Sequence, residues 1–197
     1  YIFHSLVSTH FTYERDAFRN YDIIFTNGEY QEKELIKAEK IYNFPKKKIF
    51  NIGYLYLENI LKRKTTNKKL EKRVLFAPSW NKSSKNLFND YSISIIQTLI
   101  NNGFFVTLRP HPELVKRSNK ILKKIQNQFE NNKNFYLNIN LLDLKYFEES
   151  EFLITDNGGV GLEYSLIYRK PTMYINYINK IHNQFYKEIN IDPIENI

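Results

Sequence analysis

LITDNGGVGLEYSLIYRKP, residues 153–171, joins three local signals in nineteen residues. An apolar run ends at Thr155-Asp156, the pair Gly158-Gly159 follows, and a helix-like stretch from about Gly159 stops before Pro171. Strand, glycine turn, helix, and then a new apolar run at 171–175 form a strand-helix-strand unit of a parallel sheet. A strand entering two glycines and then a helix presents free backbone N–H groups and the positive end of the helix dipole, with no Cβ in the way. That arrangement cradles an anion; equally, it is a tight turn that lets helix and strand pack closely.

Upstream the same alternation recurs. Residues 73–77 (RVLFA) read as a buried strand closed by Pro78, 91–102 as a helix ended by Gly103, and 104–108 as a strand closed by Arg109-Pro110. Residues 114–129 read as a helix, 134–139 as a strand and 141–149 as a helix. Nearer the start, a strand at 22–26 runs into Asn27-Gly28, a charged helix spans 29–40, a strand at 49–52 ends at Gly53, and 55–61 is helical. The expected fold class is α/β with a Rossmann-like, doubly wound parallel sheet. A polar, basic run at 63–72 reads as a linker.

Composition bounds the function. The 197 residues are 42% hydrophobic and 16% aromatic, enough for a core, and contain no cysteine, which excludes a disulfide scaffold or thiolate metal site and agrees with a reducing, cytoplasmic setting. No apolar run is long enough to span a bilayer. The chain starts at Tyr1 in mid-pattern, so it is expected to be a piece of a longer polypeptide. The net charge of +8 reflects a Lys-rich surface, only seven of the 29 basic residues being Arg, and it favours an anionic substrate or an anionic membrane surface. The 15 Tyr and 15 Phe lie mostly within apolar patterns and no nucleic-acid-binding motif occurs, so no nucleic acid is expected as a partner.

In doubly wound sheets, ligands sit at the carboxyl ends of the strands. Three polar clusters fall there: Pro78-Ser79-Trp80, Arg109-Pro110-His111-Pro112 and Thr155-Asp156-Asn157-Gly158-Gly159. Glu163, about one turn into the last helix, is placed to accept hydrogen bonds from a ribose diol, or to complement the helix dipole. The prolines of RPHP fix a permanent cation and an imidazole that suit a pyrophosphate; prolines also simply end strands. Trp80 suits either stacking on a base or packing. His10 reads as a surface or capping residue and His182 as incidental.

His4-Ser5, APSW at 77–80, RPHP at 109–112 and the segment from Thr155 to Glu163 together resemble the CDP-glycerol glycerophosphotransferase family, GT-B glycosyltransferase-like enzymes that build teichoic acids and related capsular polymers. The resemblance covers most of the chain. It implies two Rossmann-like domains, with 1–62 the end of an acceptor-side domain and 73–197 the nucleotide-donor domain. It implies a CDP-linked or other nucleotide-linked donor, a polyol-phosphate or glycan acceptor that is lipid-linked, and work in the cytoplasm or peripherally at the inner face of the membrane. Neither cofactor nor metal is implied, helix dipoles and basic side chains stabilising the leaving group instead. On this reading Ser79, Thr155, Asp156, Asn157, Gly158, Gly159 and Glu163 bind the donor's nucleotide and phosphates, Arg109 and His111 stabilise the leaving group, and His4 is the general base. For His4 the ordinary alternative is a strand-end imidazole bonded to backbone.

The chain departs from the family's usual His-Gly at His4-Ser5, and from its hydroxyl-bearing Asp-Tyr-Ser-Ser at Asp156-Asn157-Gly158-Gly159. The latter segment also resembles UDP-N-acetylglucosamine 2-epimerases, and a GT-B glycosyltransferase using a UDP- or CDP-sugar is the alternative.

Overall fold

The structure, a computed structural model, describes residues 1–63, 72–81, 83–140, 142–178 and 181–195. The chain forms two compact units, Tyr1–Lys64 with Lys180–Ile197, and Thr65–Asn179. Most of the expected linker, 64–71, lies outside the described residues.

In the first unit, α1 (Thr9–Thr12) precedes β1 (Ile23–Thr26), α2 (Glu29–Tyr42), β2 (Lys48–Asn51) and α3 (Leu55–Arg63). The two strands are parallel, Ile24 facing Ile49 and Thr26 facing Asn51, as a helical crossover requires. Ile2 bridges Phe25 in parallel on the other side of β1. Phe3, Phe18, Ile24 and Leu35 form the core.

The segment 181–195 also belongs to this unit, whereas the sequence reading ran the donor domain to 197. Asn183 Nδ2 donates to the His10 carbonyl at 3.0 Å, Ile194 N to Ser8 Oγ at 2.7 Å, and Ser8 N to Glu195 Oε1 at 2.9 Å. Residues 181–195 look polar in isolation and their partners lie about 180 residues back, so the sequence carries no local sign of this return.

The second unit runs β3 (Arg73–Phe76), α4 (Leu87–Asn101), β4 (Phe105–Leu108), α5 (Pro112–Arg117), α6 (Asn119–Phe129), β5 (Phe135–Leu137), α7 (Lys145–Glu149), β6 (Phe152–Thr155), α8 (Gly159–Tyr168) and β7 (Thr172–Tyr174). Its five strands are all parallel in the order β5-β4-β3-β6-β7. Val74, Phe76, Val106 and Leu108 are fully buried between helices that contribute Phe88, Ile96 and Ile125. The winding reverses between β3 and β6, which makes their carboxyl ends the topological switch point of the sheet. This is the α/β, Rossmann-like doubly wound sheet expected from the sequence, and it is consistent with a GT-B-type fold.

Three helices differ from expectation. Helix α4 starts at Leu87, because the Asn86 side chain accepts from Asn89 N at 2.9 Å and so caps it ahead of the periodic stretch. The single helix expected at 114–129 is two, broken at Ser118 (φ −104°, ψ 37°). Helix α7 begins only at Lys145, since Asn140 and Asp143 accept from the backbone of Leu142 and Lys145 and hold turns there.

Candidate functional site

At the switch point between β3 and β6, the residues that follow each strand are tied together by hydrogen bonds. Ala77 N donates to the Ile154 carbonyl at 2.9 Å, carrying the ladder one residue past β3. Thr155, fully buried, returns its hydroxyl to the Ala77 carbonyl at 2.7 Å. Ser79 N donates to Asp156 Oδ1 at 2.6 Å and Ser79 Oγ to the Asn157 carbonyl at 3.0 Å. The first and third clusters found in the sequence are therefore one object: Ser79, Thr155 and Asp156 clamp the turn Asn157-Gly158 between two strand ends.

Gly158 caps α8 with an extended backbone (φ −168°), open to any residue, but a Cβ there would lie 2.9 Å from Ser79 Cβ. Close packing against Ser79 is thus the reason for this glycine. The helix itself has no side-chain cap and no acid in its first turn. Its first N–H groups, with the positive end of the dipole, lie at the switch point.

Gly161 went unnoticed in the sequence. A Cβ on it would stand 2.6 Å from Cζ of Tyr174, so the Tyr174 ring lies across the first turn of α8. Thr172 Oγ1 adds a bond to the Gly161 carbonyl at 3.3 Å and contacts Ser165 Oγ at 2.9 Å. The third glycine of G-G-V-G was the available signal. Glu163, partly exposed, sits one turn further along α8, past the first-turn position where an acid would serve the dipole best.

The RPHP segment occupies the neighbouring strand end. Arg109 N donates to the Phe76 carbonyl at 2.8 Å and His111 N to the Pro78 carbonyl at 3.1 Å, which aligns the segment with the first cluster. Arg109 Nη1 donates to the carbonyls of Asn140 and Asp143 at 2.9 and 3.0 Å, and its guanidinium lies 5.0 Å from the Phe147 ring centre. His111 Nδ1 accepts from Glu113 N at 3.2 Å and caps α5. Both side chains thus hold local structure. Hydrogen bonds from Arg117 and Lys116 hold the Glu113 carboxyl below its ordinary pKa. Trp80 packs against the core, with the Arg117 guanidinium 5.7 Å from its ring centre.

In the first unit, His4 is exposed and follows the segment that bridges β1. Its carbonyl accepts from the Tyr54 hydroxyl at 3.1 Å, and Asn27 Nδ2 donates to the Ser5 carbonyl at 2.8 Å. His4, Asn27 and Tyr54 thus share the carboxyl edge of that unit's parallel strands. His10 is a correction: it is buried, not a surface residue, with Nδ1 3.4 Å from Glu34 Oε1 and Nε2 3.0 Å from the Ile191 carbonyl. Its neighbours explain this, since Thr9 also donates to Glu34 through both N and Oγ1. His182, expected to be incidental, donates its backbone N–H to the Phe11 carbonyl at 3.1 Å and so ties the returning segment to α1. Among the described residues no cluster of His, Asp or Glu is arranged to hold a metal ion, and no helix is long and apolar enough to cross a membrane.

No family model matches the chain, and no curated protein matches it. Among solved structures, the wall teichoic acid polymerase TagF is similar, at 18% identity and a TM-score of 0.45. The match covers 80% of this chain and 39% of that one, so the chain spans well under half the length of this neighbour.

Proposed function

We propose that the second unit binds the nucleoside diphosphate of a CDP-linked donor, and that the chain is part of a transferase moving a glycerol-phosphate or related polyol-phosphate unit to a lipid-linked or polymeric acceptor. The observation that carries this reading is the uncapped N-terminus of α8 at the β3/β6 switch point, clamped by Ser79 and Asp156. The N–H groups that begin at Gly159 take the donor's phosphates, and Glu163 takes the ribose hydroxyls. Thr155, Asp156, Asn157 and Ser79 keep the turn in shape, and Gly158 makes room for Ser79. Arg109 and His111, on the adjacent strand end, face the charge that grows on the leaving nucleotide.

In the reaction, an acceptor hydroxyl oxygen bonds to the phosphorus of the transferred group as the bond to the bridging oxygen breaks. The nucleoside monophosphate leaves with that electron pair. His4 receives the hydroxyl proton, an imidazole being the side chain best matched to that transfer near neutral pH. The GT-B alternative, a UDP- or CDP-sugar donor, draws on the Asp156-Asn157-Gly158-Gly159 sequence, which lacks the hydroxyls that would hold a polyol-phosphate.

Titration calorimetry with CDP, CDP-glycerol, CDP-ribitol and UDP-sugars tests the reading. CDP compounds should bind most tightly, and Glu163→Ala should weaken each by a similar factor through the shared ribose. Preference for UDP-sugars selects the alternative. Undiminished affinity in Glu163→Ala removes its assigned role.

A further inference from the structure

The loop that carries His4 is held in place by side chains. Residues 4–7 lie outside any helix or strand, yet the carbonyl of each accepts a side-chain hydrogen bond. Tyr54 Oη donates to His4 at 3.1 Å, Asn27 Nδ2 and Gln31 Nε2 donate to Ser5 at 2.8 and 3.2 Å, and Tyr30 Oη donates to Leu6 at 2.7 Å. Gln31 Nε2 also donates to Val7 at 3.0 Å. Leu6 and Val7 are buried, so their carbonyls need partners for the fold to stand. His4 is exposed, and stability asks less of its bond.

The donors also differ in origin. Asn27, Tyr30 and Gln31 come from the β1–α2 turn and the first turn of α2, and they serve residues 5–7. Tyr54 comes from a separate element: a left-handed Gly53 (φ 75°) turns the chain just past β2, and the buried Tyr54 then reaches residue 4. Phe3, buried in the core and bonded through its N–H to the Phe25 carbonyl at 3.2 Å, fixes the chain before His4; the Tyr54 bond fixes the peptide plane after it. Between them they set the direction in which the His4 side chain leaves the backbone.

We propose that Tyr54 is a positioning residue, its hydroxyl holding the His4 backbone so that the imidazole is presented to the acceptor hydroxyl. The proposal rests on His4 acting as the general base. Proton transfer needs the imidazole within hydrogen-bond reach of the acceptor oxygen, and a misplacement of about 1 Å costs on the order of 100-fold in rate. A bond that stability needs little, placed on the one residue of the loop with an imidazole, is the arrangement a supporting residue requires.

The test measures turnover of CDP-glycerol with a glycerol-phosphate oligomer as acceptor in Tyr54→Phe, Tyr30→Phe, His4→Ala and the double variant His4→Ala with Tyr54→Phe. Tyr54→Phe keeps the ring and removes one donor. Its kcat should fall on the order of 10-fold to 100-fold, while KM for the donor, calorimetric affinity for CDP and the unfolding midpoint stay close to those of the parent chain. Tyr30→Phe removes the same group from Leu6, further from the imidazole, and should lower kcat only a few-fold. In the His4→Ala background Tyr54→Phe should have no further effect, because no imidazole is left to misplace. A second readout needs no turnover. The chain has four histidines, so His4→Ala identifies the His4 imidazole resonances, and these should shift in Tyr54→Phe more than in Tyr30→Phe. Unchanged kcat or unmoved resonances in Tyr54→Phe, an equal loss of kcat in Tyr30→Phe, a full further loss in the His4→Ala background, or a fall in unfolding midpoint alongside the loss of turnover would each overturn the proposal and leave His4 as the base. Parent-level turnover in His4→Ala would instead overturn the base assignment, and the role of Tyr54 with it.

Discussion

Two turns in this protein are built to one plan and finished differently. In the first unit β1 leads through Asn27 into Gly28, which caps α2 with φ −174°, and the helix ends on Asn43 in the left-handed region at φ 52°. In the second, β6 leads through Asn157 into Gly158, which caps α8 with φ −168°, and the helix ends on Arg169, also at φ 52°. Neither has a side-chain cap. The contrast lies in the first turn. Helix α2 places Glu29 and Glu32 there, and Gln31 accepts from Asn27 N at 2.9 Å. Helix α8 places Gly159, Val160, Gly161 and Leu162 there, with no acid. The first unit supplies its own anions to the positive helix end; the second supplies none. Similar backbones thus carry different first-turn charge, and on the proposed function that difference separates a structural turn from an anion site.

The proposed function puts the general base in the first unit and donor binding in the second, and the largest predicted effect separates the two. His4→Ala should lower turnover by roughly 100-fold to 10,000-fold, the usual worth of general-base assistance, while calorimetry finds donor affinity nearly unchanged. Loss of donor affinity instead would mean that the first unit holds nucleotide, and the comparison fails.

Next come the side chains beside the α8 turn. Arg109→Ala should cost about 100-fold to 1000-fold in turnover for a lost charge-directed contact, and it also releases the carbonyls of Asn140 and Asp143. His111→Asn sharpens this, because asparagine keeps an acceptor for Glu113 N while removing the imidazole. Thermal stability should hold and turnover should fall; the reverse outcome makes His111 a cap alone.

A smaller effect concerns the clamp. Gly158→Val forces a Cβ into Ser79 and should destabilise the second unit by about 1–3 kcal/mol in chemical denaturation. An unchanged midpoint would show that the turn is not held by Ser79.

The sequence made the sheet legible because its strands, such as the fully buried Val74–Phe76, are short apolar runs whose length and bounding Pro or Gly favour strand over helix. The switch point was legible only as three clusters on one edge. That Ser79 meets Asp156 and Asn157 depends on β3 lying beside β6, a pairing across some 80 residues that periodicity does not encode. Caps and breaks were lost for a different reason, because Asn86 and Ser118 act through one hydrogen bond or one dihedral angle rather than through a pattern. His10 was misjudged because its buried partner, Glu34, lies on a helix that reads as charged, with no local sign that this acid faces inward.

The most direct test of the account gives α8 the ending that α2 already has. Gly159→Glu places an acid directly after the cap glycine, as Glu29 stands after Gly28. An acid in the first turn typically stabilises a helix by about 0.3–1 kcal/mol, so the variant should unfold at the same denaturant concentration as the parent chain or a higher one. Calorimetry with CDP should at the same time show binding reduced below detection, because the new carboxylate occupies the position of the phosphates. A variant that is stable and still binds CDP as tightly as the parent would contradict the assignment of the α8 N-terminus as the phosphate site.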